Sequence, residues 1–252
     1  MQKTSSNLSF RAVCAGFLWS GALFVLFAAL FTGRATAQPQ EPKREIFPPA
    51  LGKGAIVVVV SGASGTVPYR AFSSKLAELG YYTVLMDGND VLQRFDIHDQ
   101  SGATILRTVI VDSQSASQAI PGKVALVGLS KGGAGVLLHG APLKDQVSAV
   151  VAYYPAITLL GSDMTPLAAK LQTPVLLLAG EQDRYMGCCL IESMRALAAA
   201  PKAVPFEQVV YPNASHGFNL NDPRFVYSAQ DAADAWARTA AFLNRLHPPG
   251  GQ

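Results

Sequence analysis

The sequence predicts an α/β domain: a mostly parallel β-sheet of about six or more strands with helices on both faces. Three observations carry this. Short apolar, β-branched runs alternate along the chain with segments of helical periodicity. The first run, Ala55 to Val60 (AIVVVV), does not alternate in polarity, as expected of a central strand covered on both sides. Another run, Val124 to Val127, breaks into Gly128-Leu129-Ser130-Lys131-Gly132 and then into the helical pattern of Ala134, Val136, Leu137 and Leu138.

Taken in order, residues 1–37 stand apart. Lys3 and Arg11 precede an uncharged run from Ala12 to Gly33, and Ala35-Thr36-Ala37 has the small-residue pattern of a signal-peptidase site. The run is long for a signal core, so an uncleaved N-terminal anchor is the alternative to a cleaved signal peptide. In both readings the remainder is exported, secreted or periplasmic. Residues 38–53, with Pro39, Pro42, Pro48 and Pro49, are expected to be an extended lead-in with little regular structure. The domain then occupies residues 54–247, followed by a tail at 248–252.

Within the domain a helix is expected over Tyr69 to Leu79, a strand over Tyr82 to Met86 and a helix near Ser101 to Ala119. After the Ser130 turn and its helix come strands at Val147 to Tyr153 and Pro174 to Ala179, then a helix at about Leu190 to Ala200. A strand at Phe206 to Tyr211 and a helix at Ala229 to Leu246, with Trp236, Ala240 and Leu243 on one face, complete the set. Between Pro155 and Pro174 there is space for a loop and one short helix around Pro166 to Leu171, so little or no lid is expected.

Composition narrows the function. At 50% hydrophobic and 15% charged, the 252 residues are globular material. The formal charge of +3 comes from Lys3, Arg11 and Arg34; without residues 1–37 the chain has 17 basic and 17 acidic residues. The basic excess therefore gives no reason to expect nucleic acid, and a membrane is expected only if the N-terminal segment stays uncleaved. Beyond that segment the cysteines are Cys188 and Cys189, which are adjacent and cannot frame a disulfide-rich fold. A vicinal bridge, an intermolecular bond and two buried thiols are open, with buried thiols favoured.

Catalytic groups of such sheets gather at the carboxyl ends of the strands. One end offers Ser130, on a turn whose motif glycines leave no room for side chains and force the serine into a strained, exposed position. A second ends in Gly180-Glu181-Gln182-Asp183, and a third in Tyr211-Pro212-Asn213-Ala214-Ser215-His216-Gly217. A serine hydroxyl needs a base to take its proton, imidazole does this near neutral pH, and a carboxylate fixes the ring tautomer. Ser130, His216 and Asp183 are thus the expected nucleophile, base and acid. Each alone reads as a Gly/Ser turn, a loop histidine or a helix cap; three at three strand ends favour the catalytic reading. Glu181 and Asp163 are rival acids, and His98, His139 and His247 weaker bases. The oxyanion hole is expected from the backbone N–H groups of Lys131 and Ala63, with the Lys131 side chain a solvated surface group. Tyr154 and Phe218 are candidates to line an acyl pocket, with core packing the equal alternative. The sequence has no metal-ligand cluster, phosphate loop or basic–aromatic patch, so no metal and no cofactor is expected.

These segments resemble the dienelactone hydrolase family of the α/β-hydrolase fold. The resemblance rests on Gly128-Leu129-Ser130-Lys131-Gly132-Gly133, Ala152-Tyr153-Tyr154-Pro155, Gly180 to Asp183, Tyr211 to Phe218 and Asp234-Ala235-Trp236-Ala237-Arg238. It implies the Ser–Asp–His order of a hydrolase triad. Lactone-cleaving members carry cysteine at the nucleophile, where this chain has Ser130, and an arginine four residues past the histidine, where it has Leu220. The expected function is therefore a serine esterase acting through an acyl-enzyme on a small-molecule or polymeric ester. A thioesterase, a peptidase and a non-catalytic envelope binding protein on the same scaffold are the alternatives.

Overall fold

The computed structural model describes residues 43–250; the expected signal segment, residues 1–37, lies outside them. Seven strands form one sheet: β1 (Arg44–Phe47), β2 (Gly54–Val60), β3 (Tyr82–Met86), β4 (Ala119–Leu129), β5 (Val147–Tyr153), β6 (Val175–Gly180) and β7 (Phe206–Tyr211). Their order is β1-β3-β2-β4-β5-β6-β7, with β1 antiparallel and the other pairings parallel. The helices are α1 (Arg70–Glu78), α2 (Gly88–Val91), α3 (Ser101–Ser113), α4 (Lys131–Gly135, continuing as a π-turn over Val136–Gly140), α5 (Thr165–Lys170), α6 (Ile191–Ala199) and α7 (Ala229–Leu246). Every residue of β2, β3 and β6 is buried, as unalternating apolar runs require in a sheet covered on both faces.

Two expectations on element limits are corrected. Residues 38–53 contain a strand, because Arg44 to Phe47 pair with the free edge of β3, Arg44 opposite Met86. The helix near Ser101 stops at Ser113 instead of reaching Ala119. Gln114 turns the chain by exchanging hydrogen bonds with the Gly122 backbone, and Ala119 and Ile120 pair with Gly54 and Ala55. The stretch between β5 and β6 holds a 3-10 turn (Ile157–Leu160) and α5, in keeping with the absence of space for a large lid.

The strand order places the site. From β2 the sheet extends through β3 on one side and through β4 on the other, so the loops leaving β2 and β4 diverge and leave a crevice between them. The Ser130 turn follows β4 and the Ser61–Gly65 loop follows β2.

The other end of the sheet is closed by the tail. Ladder registers shift at Ile56 between β2 and β4, and at Ser148 between β4 and β5. The buried His247 ring fits both irregularities: Nε2 lies 2.9 Å from the Ile56 carbonyl and Nδ1 3.0 Å from Ser148 Oγ. Tyr81 stacks on that ring, its hydroxyl donates to the His247 carbonyl, and Ala55 N–H donates to Pro249 O. Burial pushes the His247 pKa down to about 4. The helix before it, α7, buries Ala235, Thr239, Phe242 and Leu243, and is fixed to β5 by Tyr153 Oη, which meets Ala235 O and Thr239 Oγ1.

Candidate active site

The Ser130 turn is shaped by what its neighbours leave no space for. A Cβ at Gly128 would lie 2.3 Å from Gly132 O, and one at Gly132 would lie 2.1 Å from Val60 O. With those contacts closed, the chain reverses through Ser130 at φ 56° and ψ −116°, a conformation costly for a residue with a side chain. Ser130 is anchored on both sides of its peptide: its N–H donates to Tyr153 O, and its carbonyl accepts from Ala134 N–H and Ala156 N–H.

The structure brings Ser130, His216 and Asp183 together from the ends of β4, β7 and β6. Ser130 Oγ is 2.9 Å from His216 Nε2, and His216 Nδ1 is 2.8 Å from Asp183 Oδ2. Nδ1–H donating to the carboxylate leaves Nε2 able to accept the serine proton. Asp183 is fully buried and its second oxygen accepts from Tyr185 N–H at 3.0 Å, so both oxygens are occupied. The rival acids are engaged elsewhere: Glu181 pairs with Arg195, and Asp163 accepts from Thr165 N–H at the start of α5. Of the weaker bases, His98 is exposed, His139 is buried with Nε2 4.0 Å from Asp99, and His247 holds the tail.

Aromatic rings enclose the imidazole. Tyr185 stacks on it at 4.5 Å and 6°, Tyr154 meets it edge-on at 4.7 Å, and Phe225 lies 5.6 Å away. Tyr154 is fully buried with φ 34°, its hydroxyl donates to Asn219 Oδ1, and burial pushes its pKa well above the usual range. Phe218, expected as a pocket candidate, is buried among Tyr153, Tyr154 and Tyr211 and packs the core behind the site. Tyr185 and Phe225 were not expected. Tyr185 was open to recognition by its position two residues past the acid; Phe225 reaches the ring only through the folding of the 219–228 loop.

The expected oxyanion donors stand at the start of α4 and in the loop after β2. Lys131 N–H opens α4, where a helix has no internal acceptor for it, and Ala63 N–H makes no backbone hydrogen bond. One side chain ties them. Asn89 Nδ2 donates to Ala63 O at 3.1 Å, and Asn89 Oδ1 accepts from Lys131 Nζ at 2.9 Å. Asp87 holds Asn89 in turn, accepting from its backbone N–H and from Nδ2. The reading of the Lys131 side chain as a solvated surface group is therefore corrected.

Cys188 and Cys189 form a vicinal disulfide in the loop that carries Asp183 and Tyr185, which replaces the favoured reading of two buried thiols. Ligand atoms of Asp183, Cys189 and His216 lie within 4.8 Å of one another. Asp183 and His216 are bound to each other and the Cys189 sulfur to Cys188, so the donor set suits proton transfer and not a metal ion. Among the described residues no helix is long and apolar enough to cross a membrane.

Solved structures share this fold. A Klebsiella pneumoniae subsp. pneumoniae protein assigned as a dienelactone hydrolase superposes with a TM-score of 0.62 at 24% identity, covering 81% of this chain and 98% of its own. Est1E from Butyrivibrio proteoclasticus gives 0.62 at 16% identity over 83% of this chain and 96% of its own. Thermogutta terrifontis esterase 2 gives 0.59 at 16% identity over 83% and 90%. No curated protein matches the sequence. The model of the dienelactone hydrolase family matches residues 43–247, the whole of the sheet and all three strand-end residues, and the chain belongs to that family of α/β-hydrolases.

Proposed function

We propose that the protein is an exported serine hydrolase that cleaves carboxylic esters through an acyl-enzyme. The observation that carries the reading is the unbroken chain of contacts from Ser130 Oγ through His216 to Asp183 at 2.9 and 2.8 Å. Ser130 Oγ attacks the ester carbonyl while His216 Nε2 takes its proton, and the carbonyl electron pair moves onto oxygen, which the Ala63 and Lys131 N–H groups receive. Collapse of this adduct breaks the bond to the alcohol oxygen, which leaves with the proton from His216. Water then repeats the sequence on the acyl-enzyme, giving up a proton to His216, releasing the acid and restoring Ser130. Asp183 stabilises the imidazolium formed in both halves.

Among proteins of similar fold, one is described as an esterase phosphorylated by paraoxon and another is bound to ferulic acid, both in keeping with ester-cleaving chemistry on this scaffold. The reading of export draws on the signal-like residues 1–37 and on the Cys188–Cys189 disulfide, since disulfides persist in oxidising compartments. Ser130→Ala is expected to lower kcat for p-nitrophenyl acetate by at least about 10³-fold and to abolish labelling by a fluorophosphonate. Unchanged hydrolysis in that variant would remove Ser130 from the mechanism. A folded wild-type protein that takes up no probe would favour a binding role.

A further inference from the structure

We propose that Tyr69 is a catalytic residue whose phenol hydroxyl donates a third hydrogen bond to the oxyanion formed when Ser130 attacks. This rests on the reading of Ser130 as nucleophile. Tyr69 lies on the 3-10 turn Val67–Tyr69 at the entrance to α1, outside the motifs that carry the triad. Its side chain turns back to the loop after β2: a Cβ placed on Gly62 would lie 2.2 Å from the Tyr69 hydroxyl oxygen and 3.3 Å from Ser130 Cβ. The phenol, the nucleophile and the loop bearing Ala63 therefore border the same small space, and glycine at 62 keeps it open.

The hydroxyl is equipped to donate there. The polar group beside its oxygen is the Gly62 backbone amide, a donor that favours the oxygen's lone pairs and cannot accept the phenol proton. Among the described residues no protein acceptor takes that proton. The phenol remains protonated throughout the working range, because burial raises its pKa to about 12. The ring is 2% exposed, and its backbone is fixed by Tyr69 N–H donating to Thr66 O and by Ser73 Oγ donating to Tyr69 O. A donor held this rigidly needs no reorganisation when charge develops, which is what makes oxyanion contacts effective.

Tyr69→Phe in the full chain keeps the ring and removes only the hydroxyl. The expected result with p-nitrophenyl acetate is a fall in kcat of about 10²-fold with KM within about twofold, and a parallel slowing of fluorophosphonate labelling at Ser130. Incorporation of 3-fluorotyrosine at position 69, which restores a hydroxyl, is expected to restore kcat. An unchanged kcat in Tyr69→Phe, a rise in KM alone, or a fluorotyrosine enzyme as slow as the phenylalanine variant would overturn the assignment. Ser130→Ala measured alongside separates the two readings. If it is inactive while Tyr69→Phe is fully active, only the role of Tyr69 fails; if it is active, the nucleophile assignment fails with it.

Discussion

Asn89 shows how one half-buried side chain can tie together two loops, those that carry Ala63 and Lys131. It touches no reacting atom, yet it grips the Ala63 carbonyl with one end of its amide and the Lys131 ammonium with the other. The N–H groups expected to receive the oxyanion belong to those same two residues. Asn89→Ala is expected to lower kcat by about 10-fold, less than the 10²–10³ typical of deleting a donor, because both N–H groups remain but their spacing is no longer held. Steady-state kinetics on p-nitrophenyl acetate check this, and KM should stay near the wild-type value. Ser130, Asp183 and His216 were legible from the sequence because each stands in a short motif at a strand end. Asn89 and Tyr69 were not: Asn89 meets Ala63 and Lys131 from 26 and 42 residues away, and Tyr69 comes near Ser130 only through the folded loop after β2, so no local pattern marks either.

At the scale of elements, the sheet is closed by the tail at the end opposite the candidate site. His247 joins the end of α7 to β2 and β5 through the groups left over by two register shifts. Its folded pKa of about 4 lies below the ordinary value of 6.5, so the unfolded chain binds the proton first. The contribution is therefore complete above pH 6.5 and declines as the pH falls towards 4, by on the order of 3 kcal/mol at its full extent. Urea unfolding at pH 7 and pH 4.5 is expected to show this loss, and His247→Gln should flatten it while lowering stability at pH 7. The strands from β2 to β7 and helix α7 were readable because apolar runs and helical periodicity are local. Strand β1 was hidden because Arg44-Glu45-Ile46-Phe47, between prolines, is a strand only by virtue of the β3 edge it pairs with. The extension of β4 back to Ala119 escaped for the same reason: the stretch up to Ala119 reads as helical, and Ala119 and Ile120 become strand only by pairing with Gly54 and Ala55 of β2.

Across the molecule, backbone strain is distributed unevenly. Among the described residues the non-glycine residues with positive φ are Ser130, Tyr154 and Met186, which follow β4, β5 and β6 on the same edge of the sheet. The opposite edge, where the tail seats His247, has none of them. A conformation such as that of Ser130 costs about 1–3 kcal/mol for a residue with a Cβ. Glycine would not bear that cost, although its freedom in the unfolded chain returns about 0.5–1 kcal/mol of it. Ser130→Gly is accordingly expected to melt about 2–4 °C above the wild type by calorimetry, whereas Ser130→Ala, which keeps the Cβ, should show no such gain. Under the mechanism we propose, heat resistance and turnover make opposite demands on a single position. A population of variants screened only for surviving heat would drift towards a sturdier, inert chain, and retention of the serine there would need selection for what its hydroxyl does.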